Sequence, residues 1–334
     1  MDKTWKQVIF AVLLGWMLPQ MIFHAGSRFQ STAPTETEST VLTSVPVTME
    51  QTTAPTEAPT VMYIPVLMTN GDLQVMELED YIRGVVLAEM PASFEEEALK
   101  AQAVAARTYT LRRMKLRDKH AQGVVCTDSS CCQAYLSDEA YLESRGTQAD
   151  MEKVTGAVHA TAGQVLTYRG DVIEATYFAC SGGRTEDAAA VWGSDIPYLQ
   201  AVDSPGETKA EKYDERIHFT KSEFAKLLNR TLKGSPGSWL GTVTYTAGGG
   251  VETMVIGGIT YTGTQLRRLL GLNSTVFTMV AEDGGITVTT QGWGHRVGMS
   301  QYGADAMAVA GSNYVEILTY YYQGTQIDKI SDMG

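Results

Sequence analysis

The chain reads as an α+β protein, mixed helices and antiparallel strands around a cleft, on three observations. Apolar runs flank turn signals at Asn70-Gly71 and at Arg169-Gly170-Asp171, the pattern of antiparallel hairpins. Helix-period apolar stripes occur in ELEDYIRGVVLAEM and in SQYGADAMAVAGSNYVEILTYYYQG. The two kinds of element follow each other without the regular strand–helix–strand rhythm of a parallel sheet.

In chain order, Lys3 and Lys6 precede an uncharged run over residues 7–27. About 20 apolar residues span a bilayer core as a helix, so the run is just long enough. The lysines favour the cytoplasmic side, and Trp5 and Trp16 suit the interface. Residues 1–26 are therefore expected to be a membrane signal anchor, with the rest of the chain outside the cytoplasm. A cleaved signal peptide is the rival reading, although HAGS after Phe23 is a poor cleavage site. Residues 27–60 are rich in Thr, Pro, Ser and Glu. Such a tract buries too little apolar surface to offset its ordering entropy and reads as a disordered linker. Residues 61–334 are expected to be the folded, functional domain. The formal net charge of −12 argues against nucleic acid as the main ligand, because phosphate binding needs a basic surface.

After the first hairpin, Leu78, Ile82, Val85 and Glu89 share one face of a helix. Pro91 disfavours helical angles at Met90, so the helix stops there. Ser93 with Glu96 is a capping-box pattern for the next helix, and Glu95 to Glu97 suit its positive end. Ala98, Ala101, Ala105 and Ala106 permit close packing of that helix. Downstream, QVLTYRGDVIEATYFA reads as strands. Residues 239–263 hold two or three more, and Thr264 to Leu270 a helix. VFTMVAEDGGITVTTQGWG ends the strand material, and Gly311 divides the last helical stretch.

Glu89 stands out. On an apolar face at a helix C-terminus, both burial and the dipole raise a carboxyl pKa. A carboxylic acid protonated near neutral pH is what a general acid needs. The plain alternative is a helix-end glutamate paired with Arg83 or Arg107. KHAQGVVCTDSSCCQAY raises a second question. His120, Cys126 and Cys132 are spaced six residues apart. Thiolate and imidazole together suit zinc, while an even cysteine count outside the cell suits disulfides, here Cys126–Cys132.

LEDYIRGVVLAEMPASFEEEALKAQAVAARTY, EATYFACSGGRTEDA and GWGHRVGMSQYGADAMA, in that order, resemble the signature segments of the stage II sporulation protein D family. The resemblance runs from about Val75 to Gln326. It implies a membrane-anchored lytic transglycosylase acting on denuded peptidoglycan during engulfment in sporulation. Such an enzyme cuts between N-acetylmuramic acid and N-acetylglucosamine and leaves 1,6-anhydro ends. The family's acid/base matches Glu89. Substrate-binding helpers match Arg107, Tyr135, Tyr177, Ser181, His295 and Gln301, with Tyr109, Ser300 and Tyr302 as further candidates. The resemblance also implies zinc held near the cleft by His120, Cys126 and Cys132. Cys132 is preferred to Cys131 because CQAY matches the family's Cys-Gln-x-Tyr.

Implied partners are glycan strands, a stem-peptide amidase and a membrane scaffold of the engulfment machinery, with the chain in the cell membrane on the mother-cell side of the septum. The same domain occurs in amidase enhancers, so a non-catalytic glycan-binding module is the alternative. Two departures stand at Arg296, where glycine is usual and where a narrower cleft or a sugar contact is expected, and at Cys180, where Ser or Thr is commoner.

Overall fold

The computed structural model describes residues 61–332, apart from 145 and 212. The expected anchor and linker lie outside the described residues. Among the described residues, no helix is long and apolar enough to cross a membrane.

Strands β1 (Tyr63–Leu67) and β2 (Leu73–Glu77) pair antiparallel across the Asn70-Gly71 turn. Gly71 takes the left-handed conformation this turn requires, at φ 91°. Ile64 and Val66 turn inward and are fully buried. Helix α1 (Leu78–Glu89) follows directly and buries Leu78, Ile82 and Val85. Met90 is extended, at φ −122°, so the helix stops just ahead of Pro91.

Helix α2 (Glu96–Leu116) is the central element, buried along most of its length. Ala98, Ala101, Ala105 and Ala106 are all fully buried. These small side chains let neighbouring elements approach the helix axis. The capping box expected at Ser93 does not form. The N-cap is Glu95 and makes no side-chain cap bond. Its backbone N–H instead donates to the Asp305 carboxylate, 2.8 Å away, so a distant segment satisfies the helix start. Strand β3 (Val125–Cys126) then pairs with β1, in parallel.

Helices α3 (Asp138–Ser144) and α4 (Gln148–Ala160) come next. Neither is expected from the sequence, although Thr147 and Asp150 form a capping box at α4. Strands β4 (Gln164–Tyr168) and β5 (Asp171–Val172) pair across Arg169-Gly170. Strand β6 (Tyr177–Phe178) and helix α5 (Ala188–Trp192) follow.

A β-rich segment carries its own core. It holds β7 (Asp214–Thr220), α6 (Lys221–Leu227), β8 (Leu240–Tyr245), β9 (Val251–Ile256), β10 (Ile259–Thr262), α7 (Gly263–Leu270), β11 (Val276–Glu282) and β12 (Gly285–Gln291). The sheets β10-β9-β8 and β11-β12-β7 enclose Phe224, Leu266, Ile286 and Val288. The chain then returns to the first core through β13 (Met299–Ser300), α8 (Gln301–Val309), α9 (Tyr314–Tyr321) and β14 (Gln326–Lys329). Gly311 separates the last two helices, as the sequence suggests.

The mixed α+β class holds, with small sheets that are mostly antiparallel. Two pairings are parallel, β1 with β3 and β6 with β13. Both join segments distant in sequence, which no local turn signal announces.

Candidate active site

Glu89 is the last residue of α1, partly exposed at the end of the buried stripe. Its carboxylate accepts from the Ala134 N–H at 3.0 Å and from Gln301 Nε2 at 3.5 Å. Burial raises its pKa above the ordinary glutamate value, against the opposing effect of these two donors. Neither arginine proposed as its partner is paired with it. Arg83 bonds Asp80 and Asp138, and Arg107 bonds Glu79. Its partners are neutral, so the carboxyl keeps a raised pKa.

The strip from Cys132 to Leu136 forms one wall beside Glu89. Leu136 N–H donates to Gly84 O at 3.0 Å, and Tyr135 stacks on Tyr81 with ring centroids 5.7 Å apart. A Cβ at Gly84 would lie 2.2 Å from the Tyr135 ring. Glycine is therefore what lets the strip lie against α1 and bring the Ala134 N–H to Glu89. Gln133 is buried, donates to Thr110 Oγ1 at 2.9 Å and accepts from Tyr177 OH at 2.8 Å. Burial, and then the nearby Glu89 charge, raise the Tyr177 hydroxyl pKa.

On the other side, Ser300 caps α8, accepting from Gly303 N–H at 3.1 Å. Gln301 opens that helix and reaches Glu89. The geometry thus brings Glu89, Tyr177 and Gln301 together, with Gln133 and the Ala134 N–H added to them.

The other expected sugar contacts sit elsewhere. Arg107 is fully buried, 0% exposed. It holds Glu79 through Nε at 2.9 Å and Nη2 at 2.5 Å, and donates to Gln164 O. It ties α2 to α1 and β4 and leaves no surface exposed for a sugar contact. Ser181 is also 0% exposed. Its N–H and hydroxyl both donate to Glu207 at 2.8 Å. Tyr135 is engaged in packing on α1. Tyr109 accepts from Lys119, and Tyr302 packs edge-on against Phe94.

His295 lies between Phe178 and Trp192, its ring centroid 5.5 Å from each. Burial, then the Arg267 charge, lower its pKa to about 4, so at neutral pH it is uncharged. Arg296 has almost no exposed surface with which to meet a sugar. It is buried and donates to the carbonyls of Ser181, Arg184 and Gly248, beside Glu186.

Glu207 opens a single 3-10 turn, Glu207–Lys209, too short to carry a periodic signal in the sequence. It is 1% exposed. One carboxylate oxygen accepts from Ser181 and from the Gly182 and Gly183 N–H groups. The other accepts from the hydroxyls of Ser204 and Ser300. The glycine loop is an anion cradle, and the anion in it belongs to the protein itself.

His120, Cys126, Cys131 and Cys132 form one cluster, their donor atoms all within 4.8 Å of one another. All four cysteines of the chain are free thiols, so the Cys126–Cys132 disulfide is not formed. Cys131, set aside in the sequence analysis, belongs to the cluster. Its Sγ lies 3.3 Å from His120 Nε2. Burial foremost raises the Cys132 thiol to about 12, which a divalent cation would reverse.

Residues 69–168 match the family model described as Stage II sporulation protein. That segment, from the first hairpin to β4, is similar to the stage II sporulation proteins. More narrowly, stage II sporulation protein D of Bacillus subtilis (strain 168) is 43% identical over 303 residues, covering 89% of this chain and 87% of that protein. The protein of the same name from Bacillus amyloliquefaciens is 41% identical over 272 residues, 80% of this chain and 78% of that one. The chain therefore belongs to the stage II sporulation protein D family, a family of sporulation. An amidase enhancer of Bacillus subtilis (strain 168) is 30% identical over 305 residues, covering 74% of this chain and 40% of that protein.

Proposed function

We propose that this chain is a lytic transglycosylase of the sporulating cell, with Glu89 as its single acid/base. The reading rests chiefly on one observation. Glu89 is a partly buried carboxyl of raised pKa, held by neutral donors, at the C-terminal end of α1. Its protonated form donates to the glycosidic oxygen leaving between N-acetylmuramic acid and N-acetylglucosamine. The resulting carboxylate takes the proton of the muramic acid 6-hydroxyl as that oxygen closes on C1. No water is added, and a 1,6-anhydro end forms. Ordinary glycosidases need a second carboxylate as nucleophile or base; here an internal hydroxyl replaces it. Gln301 and the Ala134 N–H steady the carboxylate through both steps, and Tyr177 faces the same space.

The imidazole of His120 with the thiols of Cys126 and Cys132 fits zinc by donor chemistry and proximity. When bound, the metal would fix the loop that carries Gln133 and Ala134. We further place the chain at the cell membrane through residues 1–26, with its folded part outside the cytoplasm on the mother-cell side of the septum. Its partners there are a stem-peptide amidase and a membrane scaffold. A second reading, stimulation of an amidase without catalysis, is favoured by the amidase enhancer relative.

The test incubates the full-length chain with glycan strands lacking stem peptides and weighs the fragments. Wild type should give 1,6-anhydro ends, and Glu89→Gln should lower the rate by about 10²–10⁴-fold. Reducing ends carrying added water would mean a hydrolase. Intact strands bound equally by both proteins would favour the enhancer.

A further inference from the structure

We propose that Cys131 is a fourth metal ligand, so that His120, Cys126, Cys131 and Cys132 form a closed tetrahedral zinc site. The proposal takes up the zinc reading above and does not depend on the glycan chemistry. A tetrahedral centre with zinc–sulfur bonds of about 2.3 Å and zinc–nitrogen bonds of about 2.0–2.1 Å has edges of roughly 3.5–3.8 Å. The observed Cys131 Sγ to His120 Nε2 separation of 3.3 Å is close to such an edge. Every other pair of donor atoms lies within 4.8 Å, so small side-chain adjustments complete the figure.

Hydrogen bonding within the protein holds Cys131 in this place. The Cys131 and Cys132 N–H groups both donate to Asp128 O, at 3.0 and 2.8 Å. Ser130 N–H and Oγ both donate to Asp128 Oδ1, at 2.8 and 2.7 Å. Lys119 Nζ donates to the Cys131 carbonyl. Thr127 N–H is fixed to Leu67 O at 3.1 Å. The loop after β3 is thus folded back on itself, with both vicinal thiols in the cluster beside Cys126.

The ligand count decides the metal's role. Three protein ligands leave a position for water or substrate, as catalytic zinc requires, whereas four close the site. With Cys131 bound, the metal is structural, and its effect passes through the backbone. Cys132 is the neighbour of Gln133 and Ala134, whose side chain and N–H meet Tyr177 and Glu89. The metal therefore holds the wall beside Glu89 and takes no part in bond cleavage.

The full-length chain, stripped of metal and reloaded with Co²⁺, tests this directly. Sulfur-to-cobalt absorption reports the number of thiolates, and the visible bands report tetrahedral geometry. In Cys131→Ser the sulfur absorption should fall to about two-thirds of wild type, and Zn²⁺ should bind at least about tenfold more weakly. Cys180→Ser, a thiol outside the cluster, should change neither. X-ray absorption of the zinc-loaded wild type requires no variant and should find three sulfurs and one nitrogen. Two sulfurs, or unchanged absorption and affinity in Cys131→Ser, would overturn the fourth ligand. Failure of the wild type to bind either metal would overturn the site as a whole. None of these results bears on Glu89, whose chemistry is read from the glycan fragments.

Discussion

Single residues divide into those that surround Glu89 and those that hold the elements carrying it. Glu89 has a raised pKa, so its acid form persists to higher pH than that of an exposed glutamate. Cleavage should fall as pH rises through that raised value. Gln301 donates to the charged form and so lowers the pKa it helps to set. Gln301→Leu should therefore move the alkaline limb of the rate profile upward, measured as kcat/KM against pH. Glu207 is of the second kind. Removing it in Glu207→Ala leaves buried N–H and hydroxyl donors without an acceptor, at a cost of about 3 kcal/mol. The midpoint of urea unfolding checks this. Arg107 and Ser181 belong with Glu207. Their motifs are legible in the sequence, but a polar residue that binds a ligand and one that anchors a loop look the same there. Burial separates them.

At the scale of elements, the site depends on a close approach. The strip Cys132–Leu136 lies on α1 because Gly84 has no side chain. In Gly84→Ala the new Cβ would meet the Tyr135 ring and, at 2.7 Å, the Leu136 carbonyl. Such overpacking costs about 1–3 kcal/mol. Because Ala134 moves with the strip, cleavage should fall by more than the loss of folded protein explains. Activity per folded molecule, with folding read by circular dichroism, separates the two effects. Helix α1 was legible because its apolar period, Pro91 and the preceding hairpin agree. The start of α2 was not. Ser93 offers a local cap, but Asp305 supplies an acceptor from α8, and the tertiary partner prevailed.

For the whole molecule, the question is how two cores act as one. Arg296 joins them. Its guanidinium links Ser181 and Arg184, of the loop after β6, with Gly248 and Thr275 of the β-rich segment. The buried Glu186 balances its charge. Arg296→Met would leave Glu186 buried and uncompensated, a loss of about 3–5 kcal/mol. Hydrogen exchange should then show β12 opening before α2, whereas in the wild type both should exchange through the same slow opening. Unchanged protection in β12 would mean that Arg296 does not join the cores.

The sequence by itself determined the α+β class, the first hairpin, the end of α1 and the membership of Glu89 in a buried stripe. Each follows from local rules: side-chain period, turn chemistry and the geometry of proline. Only the tertiary structure decided that Glu89 meets Ala134 and Gln301, that Cys131 joins the other thiols, and that Arg107, Ser181 and Arg296 are buried supports. These facts rest on pairings between residues far apart in the chain, such as Ser181 with Glu207. Local propensity carries no information about a partner that only folding brings near.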